Sequence, residues 1–179
     1  GGSTEYVYVK DGEIRNITST GLGVVRLTEK YLGGETDTDS DIASLSRHVE
    51  ETVSTGLSPF PEAGGDNITL IGTAGTPTTL AAIELRLAKY DPALVNNFIL
   101  TRGMIESTLQ TILSVPKSER TKVPGLEKGR EDLIVSGIAI VLTTMERFSS
   151  DRMVVSDAGL LEGIAYNMIC RERGMEARG

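Results

Sequence analysis

Three glycine-bearing segments hold the residue types that could do chemistry on an anion. The first is Gly1-Gly2-Ser3-Thr4-Glu5. Adjacent glycines let successive backbone N–H groups point at one spot and let an anion come close, and Ser3 adds a hydroxyl donor. Glu5 has no part in a simple turn; beside a phosphate it would hold a divalent cation or orient a water. The same letters also spell a linker or a tag remnant, so the segment alone does not decide. The second is Gly72-Thr73-Ala74-Gly75-Thr76-Pro77-Thr78-Thr79. A short apolar run, small residues that turn, and a helix start with Thr76 as cap and Pro77 at the first helical position make an anion site of free N–H groups. It lacks the lysine of a P-loop and does not spell G-x-G-x-x-G, which excludes both of those motifs. A tight strand-to-helix turn without a ligand is the plainer reading. The third is Ser156-Asp157-Ala158-Gly159-Leu160-Leu161-Glu162-Gly163. Here Ser156 or Asp157 capping a helix, with Glu162 a solvated first-turn acid, competes with a metal or base role for Asp157.

Further candidates are fewer. Arg26 could reach a phosphate from the first helix, and Arg130 either docks its helix through an ion pair with Asp132 or reaches the site. His48 is the only histidine and falls on the polar side of its helix, which removes histidine triads and His-rich metal sites. Cys170 reads as a small packing residue.

These turns need elements to hold them. Thr4–Val9 and Glu13–Ser19 read as two strands joined by Lys10-Asp11-Gly12. Leu22–Leu32 and Asp41–Thr55 read as helices, the latter with a stripe of Ile42, Leu45, Val49 and Val53. Gly33–Ser40 reads as an acidic turn-rich loop and Ser58–Asp66 as a Pro/Gly loop. Asn67–Gly72 is a buried strand, and a helix runs from Thr76 to about Tyr90. Helices are expected over Thr101–Ser114, Arg130–Phe148 and Gly159–Arg173, with a polar connection over Lys117–Lys128 and a strand at Met153–Ser156. The Arg130–Phe148 pattern is apolar nearly all round, the mark of a helix sandwiched between layers. The order indicates an α/β fold, a mixed, mostly parallel sheet with an N-terminal antiparallel hairpin and flanking helices.

Composition sets the bounds. The chain has 179 residues, 39% hydrophobic and 24% charged, enough for one domain with a good core. Eighteen basic against 25 acidic residues give a net charge of −7, which repels nucleic acid and leaves phosphate to backbone amides and a metal ion. No apolar run is long enough to cross a bilayer, the first ten residues do not read as a signal peptide, and a single cysteine fits the reducing cytoplasm. Glycine is the anomaly, at 20 residues.

Taken as a set, GGSTE at 1–5, GLGVVRLTE at 21–29, GTAGTPTTLAAI at 72–83, GREDLIVSG at 129–137 and VSDAGLLEGI at 155–164 resemble the second actin-like subdomain of the exopolyphosphatase and guanosine pentaphosphate phosphohydrolase (Ppx/GppA) family. The resemblance covers essentially the whole chain. It implies an actin-like ATPase (ribonuclease H-like) fold, with residues 1–179 as one domain, the C-terminal subdomain of a two-subdomain phosphatase. It implies release of the terminal phosphate of inorganic polyphosphate or guanosine pentaphosphate, helped by Mg²⁺. Gly1, Gly2 and Ser3 would then face phosphate, Glu5 would lie at the metal and the attacking water, and Gly72, Thr73, Ala74 and Gly75 would face the phosphate chain or nucleotide. The blocks at 129–137 and 155–164 look mainly architectural; many relatives carry a basic residue where this chain has Ala158.

The family motif begins upstream, on a strand that carries an aspartate. Its first strand and first subdomain are missing from this sequence. A strand donated by another chain, a closed-up sheet or a homodimer at the exposed edge is expected, along with weak phosphate binding and little turnover by this piece alone. An actin-like ATP-binding module, and a non-catalytic regulatory or oligomerisation domain, are the competing functions.

Overall fold

The structure, a computed structural model, describes residues 1–61 and 68–173. Strands β1 (Thr4–Lys10) and β2 (Glu13–Thr20) form the expected antiparallel hairpin. Its turn residues Asp11 and Gly12 both have positive φ, 55° and 76°, the twist that suits a two-residue hairpin. The register slips between Tyr8 and Val9, so Glu5 faces Ser19 while Val9 faces Ile14. Helix α1 spans Val24–Tyr31 and α2 spans Asp39–Gly56. A reciprocal pair of bonds between Thr38 and Asp41 caps α2, and Leu45, Val49 and Val53 form its buried stripe.

The remaining strands form a second sheet in the order β3 (Leu70–Thr73), β5 (Arg152–Ser156), β4 (Ile99–Thr101). β3 and β5 are parallel, and β4 runs antiparallel to β5. The expected single, mostly parallel sheet is therefore two sheets among the described residues. The hairpin makes no ladder with the three-stranded sheet among the described residues. Asn67, placed in the third strand by the sequence reading, and most of the Ser58–Asp66 loop lie outside the described residues.

Helix α3 (Gly75–Glu84) follows β3 and stops well before Tyr90. The Leu87 amide turns back onto the Ala82 carbonyl, with Arg86 at a φ of 49°, which ends the helix. A four-residue helix, α4 (Pro92–Val95), capped by Asp91, leads into β4, and α5 spans Arg102–Ser114. The polar connection contains a 3₁₀ helix at Lys117–Lys122. Its Arg120 is 2% exposed and bonds Asp37 at 2.7 Å, so the acidic loop is pinned from inside.

Helix α6 (Ile134–Arg147) starts later than the pattern suggests, because residues 130–133 form turns. Nine of its residues are buried, as its all-round apolar pattern implies, but it packs mainly on helices α1, α2, α3 and α5 rather than on a sheet, which departs from the helix sandwiched between layers that the pattern predicts. Tyr6 on β1 donates to the Thr144 hydroxyl at 3.0 Å, since that hydroxyl itself donates to the Ile140 carbonyl. Helix α7 (Leu160–Glu172) closes the described chain. Among its residues only Cys170 is buried, consistent with packing. No helix among the described residues is long and apolar enough to cross a membrane.

Candidate functional site

The first turn rests on a glycine that sequence reasoning placed in a motif but gave no role. Gly23 is buried, and a Cβ there would strike the backbone of Gly1 and Gly2. Only glycine allows that approach. Thr4 donates to the Leu22 carbonyl at 2.6 Å and Thr20 donates to the Thr4 carbonyl at 3.1 Å, which stitches the start of β1 to the end of β2. Gly1, Gly2 and Ser3 stay exposed above this base.

Glu5 is exposed on β1. Its Oε1 accepts from the Ser3 hydroxyl at 2.5 Å and from the Ser19 hydroxyl at 3.1 Å. These two bonds, Ser3 first, hold its carboxyl below the ordinary value of 4.5. Glu5 is therefore an ionised carboxylate whose Oε1 is held by Ser3 and Ser19. Ser19 is a site residue that the sequence reading missed.

The second turn departs from expectation in its cap. Thr76 does not cap α3; Ala74 does, with φ 70° and ψ −167°. That conformation is nearly reserved for glycine, and it swings the chain sharply from β3 into the helix. Gly72 is buried, and a Cβ there would meet the Met153 sulfur and the Pro77 ring. Thr73, Thr76 and Thr78 have partners within the protein. Thr73 donates to the Ala158 carbonyl at 2.8 Å, Thr78 donates to Ala74 and Gly75 carbonyls, and Thr76 packs against Gly137 of α6. The first backbone N–H groups of α3 have no partner within the helix and lie at its positive end.

Thr73 pairs with Ser156 across β3 and β5, so the third turn lies beside the second. Asp157 is not the helix cap there, and neither is Ser156; Gly159 is, and Glu162 reaches back to its N–H at 2.7 Å. Asp157 accepts a hydrogen bond from Tyr90, and its own N–H donates to the Asn96 side chain at 3.0 Å. Partial burial and that negative partner push the Tyr90 hydroxyl up to about 12, so it stays a proton donor.

Arg130 reaches the second turn. Its guanidinium lies against Gly75, where a Cβ would displace it. The ion-pair partner is Glu127, at 2.9 Å from Nε, rather than Asp132. The Asp132 carbonyl instead accepts from Thr28 of α1 at 3.3 Å, and Thr28 also bonds the Ser136 hydroxyl at 2.8 Å. The start of α6 thus touches both α1, behind the first turn, and Thr76, behind the second. Arg26 is exposed on α1 and makes no ion pair among the described residues. His48 stacks at 5.5 Å on the Tyr31 ring, away from the three turns in its contacts. Among the described residues no three His, Cys, Asp or Glu side chains gather to hold a metal ion. A lone oriented carboxylate such as Glu5 suits a cation that a phosphate ligand shares, since Mg²⁺ commonly takes one or two carboxylates plus phosphates and water.

The model of the Ppx/GppA phosphatase family matches residues 1–172 and takes in all three turns. The chain belongs to the Ppx/GppA phosphatase family. It is 30% identical over 173 residues to Exopolyphosphatase 2 of Mycobacterium tuberculosis, covering 94% of this chain and 53% of that protein. Over 178 residues it is 22% identical to the guanosine-5'-triphosphate,3'-diphosphate pyrophosphatase of Vibrio atlanticus, covering 99% of this chain and 34% of that protein. The fold superposes on the crystal structure of the Ppx/GppA family member from Aquifex aeolicus with a TM-score of 0.86 and 35% identity, over 96% of this chain and 54% of that one. The chain spans about half the length of the Mycobacterium and Aquifex relatives. The two sheets and flanking helices are thus the α/β arrangement of the actin-like Ppx/GppA proteins.

Proposed function

We propose that this Ppx/GppA chain supplies one wall of a phosphoanhydride hydrolase that removes the terminal phosphate of inorganic polyphosphate or guanosine pentaphosphate. The meeting of the 72–75 and 156–159 turns at the ends of parallel β3 and β5, tied by the Thr73–Ala158 bond, carries this reading. Strand-to-helix turns at the carboxyl ends of parallel strands are where α/β proteins receive phosphate. Names of relatives supply the substrate class: one is an exopolyphosphatase, another a guanosine pentaphosphate pyrophosphatase.

In this reading the amides of Gly72–Gly75 and of Gly1–Ser3 bind phosphate oxygens. Glu5, ionised and held by Ser3 and Ser19, keeps one oxygen for Mg²⁺ and orients the water that attacks in line. Mg²⁺ supplies charge neutralisation at the phosphate when bound. Glu5 is the catalytic residue of this wall. A second wall is needed to place the water and complete the charge balance, so the chain by itself binds phosphate weakly and turns over little.

The test is phosphate release from long-chain polyphosphate with Mg²⁺ by the native gene product, wild type against Glu5→Gln. Loss of an oriented carboxylate of this kind lowers kcat by about 10²–10⁴-fold. Unchanged release by Glu5→Gln would remove the role given to Glu5.

A further inference from the structure

Helices α2, α5 and α6 enclose a cavity of about 230 Å³ whose lining includes none of the three turns. Its two ends differ, because of how the helices run. Arg147, the last residue of α6, donates to the Leu57 and Pro61 carbonyls just past the end of α2, so these two packed helices end together. The Arg102 N–H, at the start of α5, donates to the Asp151 carbonyl just past α6 at 2.9 Å, so α5 runs back the other way. That arrangement gathers Glu50, Glu106, Glu146 and Arg102 at one end of the cavity, with one exposed glutamate from each helix. Ile42, Leu45, Leu109, Val135 and Ala139 line the other end.

The chemistry of the two ends selects the occupant. Three carboxylates against one guanidinium leave a net charge of −2 at the polar end, even with Arg102 fully neutralised. Ionised carboxylates accept hydrogen bonds and donate none, so the group that belongs there is a cationic N–H donor. The apolar end gains from aliphatic carbon removed from water. Water-sized groups take about 30 Å³ each, so the cavity holds roughly seven or eight of them. Phosphates and other anions are repelled by the polar end, and a nucleoside is too large.

We propose that the cavity between α2, α5 and α6 binds a small amphipathic cation, an aliphatic tail of about six carbons that ends in a primary ammonium group. The ammonium lies among Glu50, Glu106 and Glu146. The tail lies against Leu45, Leu109 and Val135. The proposal does not depend on the reading of the glycine turns as a phosphate site.

Hexylammonium is the probe, with hexanol and hexanoate as its neutral and anionic counterparts. Titrations followed by methyl NMR should shift the Leu45, Leu109 and Val135 signals, with a Kd for hexylammonium of about 1 mM. Hexanol, which lacks the charge-assisted hydrogen bonds, should bind about tenfold or more weakly, and hexanoate should not bind. Glu106→Gln with Glu146→Gln alters two exposed side chains and leaves the apolar end as it is. This double variant should bring hexylammonium down to the affinity of hexanol while hexanol binding stays the same. Ala139→Leu fills the apolar end and should weaken both ligands; where that variant does not fold, the double variant decides alone. No binding of hexylammonium up to about 10 mM overturns the proposal. Equal binding of hexylammonium and hexanol, unchanged hexylammonium binding by the double variant, or shifts confined to methyl groups outside the cavity overturn it as well.

Discussion

Ala74 occupies a backbone conformation that its side chain opposes, and replacing it with glycine puts a number on that opposition. At φ 70° and ψ −167° a non-glycine residue carries about 1–3 kcal/mol of strain. Ala74→Gly removes the strain but gives the unfolded chain more freedom, at a cost of about 0.5–1 kcal/mol. The net is a gain of about 1 kcal/mol. For a domain of this size that corresponds to a rise in Tm of roughly 2–4 °C. Scanning calorimetry checks it, with urea unfolding to show that the midpoint moves while the slope does not. Ala158→Gly is the control: Ala158 is exposed and its φ is not positive, so the same replacement there lowers Tm. A fall in Tm for Ala74→Gly matching that of the control would refute the strained cap. If the turn binds phosphate as proposed, the more flexible Ala74→Gly turn should bind tripolyphosphate more weakly even as the fold becomes more stable.

Two further outcomes concern the parts behind the site. Asp37→Asn leaves Arg120, 2% exposed, and Lys117 facing each other without their shared carboxylate, and should cost about 3–5 kcal/mol in urea unfolding, as broken buried pairs do. A double variant, Asp37→Asn with Arg120→Met, should recover part of that loss. Tyr90 has a folded-state value raised from 10.0 to about 12, so its contribution to stability is complete below pH 10 and is lost as pH rises toward 12. A Tyr90→Phe chain should lack that part of the alkaline decline when Tm is followed from pH 9 to 12.

Much of the fold could be read because local chemistry and tertiary packing agree. Lys10-Asp11-Gly12 had the residues for positive φ, and the Leu45, Val49, Val53 stripe had one period and one buried side. The failures have physical causes. Residues 130–133 carry helical letters, but Arg130 is drawn to Glu127 and Gly75, and the segment turns instead of winding. Asp91-Pro92 is a helix-start signal, and it begins a helix of only four residues, α4, too short to show a period. Strand β4, three residues long, is too short to show a period. Thr76 has the residue type of a cap, yet the strained Ala74 takes that position, and Thr76 packs against Gly137 instead. Glu5 could be chosen from its neighbours Gly1, Gly2 and Ser3, while its partner Ser19 could not. Counting back from a two-residue turn pairs Glu5 with Thr18, and the slip at Tyr8 and Val9 moves the pairing by one, to Ser19. Arg120 and Asp37 sit in segments that look polar and solvated; their mutual attraction across 83 residues of chain lets both go inside.

The separation of the hairpin from the three-stranded sheet has a consequence for how the acid and the amides are spaced. No ladder of strands connects Glu5 with Gly75. Helix α6 does, as a measuring rod: Tyr6, next to Glu5, is anchored at Thr144, and Thr76, next to Gly75, is anchored at Gly137. Seven residues of helix make that offset roughly 10 Å, at about 1.5 Å per residue. The spacing between Glu5 and the 72–75 turn is therefore calibrated by one buried rod, and a side chain added at Gly137 would recalibrate it without touching either turn's exposed face.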